Sequence, residues 1–417
     1  MKNDPEIKKL VDEECKRQKE TLQLIAAENI TKLEVLSPLS TILSCKTAEG
    51  TVGSRYHAGC STVDKIEEIA EERAKKLFKS KKVWLQPHSG STANQIVMFT
   101  LLDKYLSNPK KAKILSMSLD QGGHLTHGSI HNISGKLFTI KSYTVNRETY
   151  MLDYDEIQKT AKKYKPNLII CGASSYPREI DFKRFSEIAD ETNAFLLSDI
   201  AHIMGLIVAG VHQDPVPHST FVTSSTYKSG GPRGGIIIAG EKSNEEQRKD
   251  MTYGVFPGVQ STPNFAEIAA KSLFFKECMT SEYKKTQMQI VKNARALASE
   301  LEKYGFEIIT GGTDNHKVLV NIKKTHNISG KEADEKLELC GINVNKNMIP
   351  FDTEKPTITS GIRFGTNTVT RIGMKEKEMK IIAAMVNEIL KTKISDEYIK
   401  EKRKEVKKLM EKFEVPI

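Results

Sequence analysis

Residues 194–240 read AFLLSDIAHIMGLIVAGVHQDPVPHSTFVTSSTYKSGGPRGGIIIAG. A short apolar run, Ala194–Leu197, ends in Ser198 and Asp199. A second, Thr220–Thr223, ends in a hydroxyl cluster, Ser224, Ser225 and Thr226, followed by Tyr227 and Lys228. A third, Gly235–Ala239, follows a Gly/Pro/Arg turn. Short apolar runs bounded by turn residues are the pattern of buried strands. Asp199 and Lys228 then stand where strands stop, the edge at which α/β sheets place their ligands.

This set of side chains suits one chemistry. A lysine amine can form a Schiff base with an aldehyde cofactor. Pyridoxal phosphate needs a carboxylate at its pyridinium nitrogen, a flat partner over its ring, and donors around its phosphate. Asp199 offers the first, and hydroxyls such as Ser225 can serve the third. Taken alone, Asp199 is equally a helix cap and Lys228 a solvated lysine.

Working outward, HSGSTANQIVMFTLL follows a strand end at Val83–Pro87 and predicts a helix beginning after Ser91. A Ser-Gly-Ser turn at a helix start presents amides and hydroxyls to an anion, although it also serves as an ordinary N-cap. The loop Asp120–Ser129 carries His124 and His127; an imidazole there can stack on a pyridine ring or simply satisfy loop backbone. Strands are expected at Lys113–Met117, Phe138–Tyr143 and Leu168–Cys171, and helices at Asp64–Lys79 and Ser281–Tyr304. The alternation of helix and strand predicts an α/β sheet. A glycine-rich loop, Ala48–Cys60, holds Glu49, which is either an acid/base or a solvated carboxylate. Arg363, in TSGIRFGTN, is either a carboxylate clamp or a surface residue. A shift to strand–turn–strand after the long helix places a small C-terminal domain at 281–417, beyond a polar, helical N-terminal arm (1–30) and a large domain (31–280).

The 417 residues allow two domains and a large core. Charged residues make up 28% and the mean hydropathy is −0.41. No apolar run approaches the roughly 20 residues needed to span a bilayer. The start, MKNDPEIKKL, has no apolar core of a signal peptide, so a cytoplasmic, membrane-free protein is expected. Six scattered cysteines form no CxxC pair, which argues against a disulfide framework and a cysteine zinc site; no metal is expected. The net charge of +10 lies largely on polar helix faces such as Lys75–Lys82 and Lys400–Lys408. Without an RNP, zinc-finger or arginine-rich signature, nucleic acid is not the expected partner.

These signals occur together, in one order, between about Leu22 and Leu390. The motifs LIAAEN, AEGTVGSRY, QPHSGSTAN, GGHLTHGS, SDIAHIMGLIVAGVHQDPVPH, TSSTYKSGGPRGG, VFPGVQ, GGTDNH, NVNKN and TSGIRFGT resemble those of the serine hydroxymethyltransferases. The resemblance implies the pyridoxal-phosphate fold of the aspartate aminotransferase type (fold type I). That means a large domain with a seven-stranded, mostly parallel sheet flanked by helices and a smaller C-terminal α/β domain. It implies transfer of a hydroxymethyl group between serine and glycine with tetrahydrofolate as co-substrate. It also implies a homodimer, or a dimer of dimers, with active sites shared across the interface.

Site residues follow position by position. Lys228 resembles the Schiff-base lysine, Asp199 the pyridinium partner and His124 the stacking residue. Ser89, Gly90 and Ser91 match the phosphate loop, with Ser225 beside them. Ser174 and His202 match residues near the ring oxygen, and Arg363 the clamp on the amino-acid carboxylate. Glu49 matches the acid/base contributed across the dimer, and Tyr56 its neighbour. Leu119, Gly123, Leu125 and Asn347, with Glu49, match folate contacts.

The chain also departs from the family pattern. Ala27 stands for Ser, Thr47 and His57 for Tyr, Tyr227 for His, and Ile372 for Arg. Ser261 and Thr262 replace two glycines of the phosphate loop given by the partner subunit, and the segment from Lys228 to Pro232 is one residue short. Groups that hydrogen-bond a substrate set selectivity by orders of magnitude. His57 and Tyr227 therefore open the reading of another β-hydroxy amino acid as substrate, through a 2-methylserine hydroxymethyltransferase, threonine aldolase or transaldolase. A silent RNA-binding or scaffold protein is the reading from another class.

Overall fold

Every residue of Leu168–Cys171, Phe221–Ser225 and Gly235–Ala239 is buried. Strands buried along their whole length belong to a sheet covered on both faces. The computed structural model describes residues 4–416. It divides into two units, one over Leu33–Met288 and the other taking the residues up to Lys32 with those from Gln289 on. The division falls within the Ser281–Lys303 helix.

The large sheet of the first unit has seven strands: β1 (Val83–Trp84), β2 (Lys113–Met117), β3 (Thr139–Tyr143), β4 (Leu168–Cys171), β5 (Phe195–Asp199), β6 (Phe221–Ser225) and β7 (Gly235–Ala239). They lie in the order β1-β7-β6-β5-β4-β2-β3. The pairs from β3 to β6 are parallel, and β7 runs antiparallel to both of its neighbours. This is the mostly parallel seven-stranded sheet that the resemblance implies. Ile114, Ile170, Leu197, Phe221 and Ile237 from its strands pack with Ile96, Val97 and Leu101 of the Gly90–Leu101 helix in one core.

Several boundaries differ from expectation by one to three residues, among them the ends of β5 and β1. β5 runs on through Ser198 and Asp199, because Cys171 pairs with Ser198 and Asp199 with Thr223. β1 stops at Trp84 instead of running to Pro87, and just beyond it the Leu85 carbonyl accepts from the Lys271 ammonium.

Chain direction across the sheet reverses between β2 and β4: from β2 the chain moves outward to β3, then returns to β4 on the other side. Crevices at such a switch point are where open α/β sheets bind ligands. The loops that follow β2 and β4 meet there, and the Ser174 amide donates to the Gly122 carbonyl at 2.8 Å. Gly122 has φ +113°, and a Cβ on it would press on Ser175 Oγ at 3.1 Å.

In the second unit, β8 (Glu307–Ile308), β9 (Lys317–Asn321), β10 (Asn345–Asn347) and β11 (Gly361–Gly365) form an antiparallel sheet in the order β8-β9-β11-β10. Its core includes Leu297, Val318, Val320, Phe364, Ile382 and Val386. Leu22–Gln23 pairs in parallel with Ile342–Asn343. The N-terminal helix, Pro5–Glu20, buries no residue. No helix among the described residues is long and apolar enough to cross a membrane.

Candidate active site

The C-terminal ends of β2, β4, β5 and β6 converge on one cavity in the first unit. Its lining includes Ser89, Gly90 and Ser91, His124, Ser174, Asp199, His202, Ser225, Tyr227 and Lys228. Asn94, His127, Ala173, Ala201 and Arg233 complete it. Residues drawn from six separate segments of the sequence thus face one space.

Asp199, the last residue of β5, lies at the floor. Its Oδ2 accepts from Asn94 Nδ2 at 2.8 Å and from His127 Nε2 at 2.9 Å, and its Oδ1 accepts from the Ala201 amide at 3.0 Å. A carboxylate can only accept, so the His127 Nε2 carries the hydrogen. Burial works to raise the Asp199 carboxyl, but the His127 hydrogen bond and charge, His124 and Asn94 outweigh it, holding the group well below the usual carboxylate range. Asp199, its side chain 11% exposed, is therefore held in its negative form, as a pyridinium nitrogen requires. A merely capping Asp would lack this ring of buried partners.

Asn94 organises the floor. It is 1% exposed and sits one turn into the helix that starts at Gly90. Its amide nitrogen also donates to Thr126 Oγ1 at 2.9 Å, and its oxygen accepts from Thr223 Oγ1 at 2.6 Å. Thr126 Oγ1 in turn lies 2.8 Å from His124 Nδ1, which also receives the Thr126 amide. Through Asn94 and Thr126, His124 and the charge at Asp199 are tied to one side chain. The sequence reading misses Asn94 and leaves His127 without a role, although both lie inside the quoted motifs.

The same helix opens the anion cradle. Ser89, its N-cap, accepts from the Thr92 amide at 3.0 Å. The helix begins at Gly90, two residues earlier than expected, so the Gly90 and Ser91 amides belong to its first turn and have no helical acceptor. A side chain at Gly90 would press on Ser225, its Cβ 3.2 Å from both the Ser225 amide nitrogen and Cβ. Glycine thus brings the cradle against the end of β6. There, Ser225 Oγ accepts from Lys228 Nζ at 3.0 Å. Two cations lie over the Tyr227 ring, Lys228 Nζ 4.9 Å and Arg233 Cζ 4.4 Å from its centroid. A basic amine, a buried carboxylate, an imidazole wall and a helix-start cradle are the groups pyridoxal phosphate requires, and they fit it.

Glu49, Tyr56, His57 and Thr262 do not line this cavity. Glu49, Tyr56 and His57 form a second cluster with Ser261, the chain neighbour of Thr262; the Ser261 hydroxyl donates to Glu49 Oε1. The Glu49 amide donates to His57 Nδ1 at 3.3 Å, and the Tyr56 amide to the Glu49 carbonyl at 3.1 Å. Tyr56 is 78% exposed, its ring 5.5 Å from that of Phe256. Beneath the cluster, Arg55 is buried between Glu67 and Asp64 and donates to the Gly50 carbonyl at 2.6 Å. Gln86 bonds that same carbonyl and Glu67 Oε1. Arg55 and Glu67 pass as solvated charges in the sequence; only their burial marks them as the base of the Glu49 loop.

Leu119, Gly123 and Leu125 lie in the loop after β2, outside the cavity lining, and the two leucines are 43% and 48% exposed. In the second unit, Arg363 lies on β11, 7% exposed, and its Nε donates to Asn345 Oδ1 at 3.1 Å. Asn347 lies on β10 and Ile372 packs on that unit's core. Ala27 is half-buried and Thr47 exposed.

Comparison with known proteins agrees with this arrangement. The family model for serine hydroxymethyltransferase matches residues 1–386. The chain is 48% identical over 415 residues to the serine hydroxymethyltransferase of Methanosarcina barkeri, covering 99% of this chain and 98% of that protein. With that similarity along its whole length, and with Lys228 and Asp199 facing one cavity at the strand ends, the chain belongs to the serine hydroxymethyltransferase family.

Proposed function

We propose that the protein transfers a hydroxymethyl group between serine and glycine, with pyridoxal phosphate as cofactor and tetrahydrofolate as one-carbon acceptor. The observation that carries this reading is the convergence of Lys228, Asp199, His124 and the Ser89–Ser91 cradle on one cavity. When bound, pyridoxal phosphate supplies an aldehyde for an amine and a ring that withdraws electrons from the amino acid's Cα.

The protein's own groups do the rest. Lys228 provides the amine that holds the cofactor. Asp199, charged across the working pH range, keeps a proton on the ring nitrogen. His124 stacks on the ring, and Ser174 and His202 serve its oxygen. The amides of Gly90 and Ser91 and the hydroxyls of Ser89 and Ser225 hold the phosphate. Arg363 offers its planar fork to the amino-acid carboxylate, and Tyr227 and His57 shape the pocket around it. Glu49 moves the proton at the hydroxymethyl oxygen, with Tyr56 beside it. Leu119, Gly123, Leu125 and Asn347 take the folate.

The same reading makes the protein a homodimer, or a dimer of dimers, acting in the cytoplasm. Its support is the separation of the Glu49 cluster from the Lys228 cavity. Ile42, Leu33 and Tyr56 also expose 82%, 60% and 78% of their surfaces beside that cluster in sequence. A second copy covering this face would bring Glu49 and the Ser261–Thr262 loop to its neighbour's cavity. A substrate panel tests the specificity: serine is expected to be preferred over 2-methylserine and threonine. A preference for either of those would replace serine as the substrate.

A further inference from the structure

Lys271 is fully buried, at 0% exposure, in the helix Phe265–Cys278, and it does not line the cavity. An ammonium has three N–H donors, and three close acceptors surround this one. Lys271 Nζ lies 2.8 Å from the Leu85 carbonyl, 2.7 Å from the Gly235 carbonyl and 2.5 Å from Glu267 Oε1. The Pro87 carbonyl is a more distant fourth at 3.4 Å. A buried charge is retained only where it is paired and hydrogen-bonded, so this arrangement has a task to explain.

The position of the two backbone carbonyls identifies the task. Leu85 and Pro87 belong to the segment that leads from β1 into the Ser89–Ser91 cradle. Gly235 opens β7, directly after the loop that carries Lys228. The two segments are joined at the same point, because the Gly235 amide donates to the Pro87 carbonyl at 2.9 Å. The Lys228 loop also lies flat on the helix of Lys271. A Cβ on Gly231 would be 2.5 Å from Phe274 Cδ1, and one on Gly234 only 2.1 Å from Glu267 Oε1 and 2.4 Å from Lys271 Cε. Burial raises the Glu267 carboxyl while Lys271 opposes it, so the two charges depend on each other.

We propose that Lys271 is a positioning residue of the cofactor site: its ammonium clamps the phosphate cradle to the loop of the Schiff-base lysine and sets the span between them. The proposal rests on the reading that the cavity takes pyridoxal phosphate. That ligand must reach the cradle and Lys228 at once. Pyridoxal, which lacks the phosphate, needs only the Lys228 end.

The test compares the dissociation constants of the two ligands for wild-type protein and Lys271→Met, followed by the near-visible absorbance of the bound cofactor. Pyridoxal phosphate is expected to bind the variant about tenfold or more weakly, as for loss of a buried donor to two carbonyls, while pyridoxal binds as it does to wild type. Equal weakening of both ligands, or of neither, overturns the proposal. Lys271→Met alone strands Glu267, so the double variant with Glu267→Met, which removes both charges, keeps the test open if the single variant fails to fold. The same selective loss is expected from the double variant, and an unchanged ratio of the two constants overturns the clamp. Failure of the wild type to bind pyridoxal phosphate would instead overturn the functional reading, and the proposal with it.

Discussion

Asn94 Nδ2 donates to Asp199 Oδ2 at 2.8 Å, so the helix that begins at the Ser89–Ser91 turn also holds the carboxylate at the end of β5. One rigid element thus spans the site. The span depends on helical geometry, since Gly90 and Asn94, four residues apart, lie on one face.

Asn94→Ala should therefore weaken the cofactor site at both ends. Asp199 loses one of its donors, and Thr126, the bridge to His124, loses another. Removing a partner of buried polar groups costs about 1–3 kcal/mol. Cofactor affinity should fall between about fivefold and a hundredfold, measured by titration of the apoprotein. Wild-type affinity in this variant would show that Asp199 is held adequately without Asn94.

Lys228→Ala should abolish covalent capture of the cofactor and leave the fold intact. Lys228 is half-buried, and both its hydrogen bond to Ser225 and its contact with the Tyr227 ring lie within its own loop. Borohydride reduction followed by peptide mass analysis should mark Lys228 in the wild type and no residue in the variant. A mark elsewhere, with turnover retained, would move the assignment.

Asp199→Asn should lose most of the transfer activity, because a neutral amide cannot hold a proton on the ring nitrogen. The same variant tests the pH dependence of stability. The Asp199 carboxyl titrates below its unfolded value, so its contribution is present above the unfolded carboxylate range and is lost as pH falls through the folded value. The stability gap between wild type and Asp199→Asn, read by urea denaturation, should therefore hold steady above about pH 5 and narrow progressively as pH falls below about 4. A constant gap would mean that Asp199 gains nothing from its partners.

Arg55→Ala tests the base of the Glu49 loop. The Arg55 and Glu67 side chains are each 3% exposed. Breaking a buried pair by removing one partner destabilises by about 3–5 kcal/mol. Arg55→Met with Glu67→Met, which removes both charges, should recover much of that stability in denaturant melts. A loss under about 1 kcal/mol for Arg55→Ala would mean that the pair is effectively solvated.

How much of this is legible in the sequence depends on the range of the contacts. Asp199, Lys228 and the Ser89 cradle stand at the ends of apolar runs, so local pattern places them at a sheet edge. Asn94 meets Asp199 across 105 residues of chain, and a helical Asn carries no local sign of that. Lys271 and Arg55 pass as two among 63 basic residues; only burial separates them from solvated charges. The division within the Ser281–Lys303 helix is likewise hidden, because the helix periodicity continues across it.

The altered pocket residues divide in the same way. Tyr227 lines the Lys228 cavity, whereas His57 lies in the Glu49 cluster. Restoring the usual family residues with His57→Tyr and Tyr227→His should shift the ratio of kcat/KM for serine over 2-methylserine by more than about tenfold, equivalent to roughly 1.4 kcal/mol. An unchanged ratio would remove both positions from substrate choice.

The most direct measurement is glycine formed from serine by the protein loaded with pyridoxal phosphate, with and without tetrahydrofolate. Glycine is expected to appear with multiple turnovers only when tetrahydrofolate is present, and to disappear in Lys228→Ala. No turnover of serine by fully loaded protein, or turnover that survives loss of Lys228, would contradict hydroxymethyl transfer at this cavity.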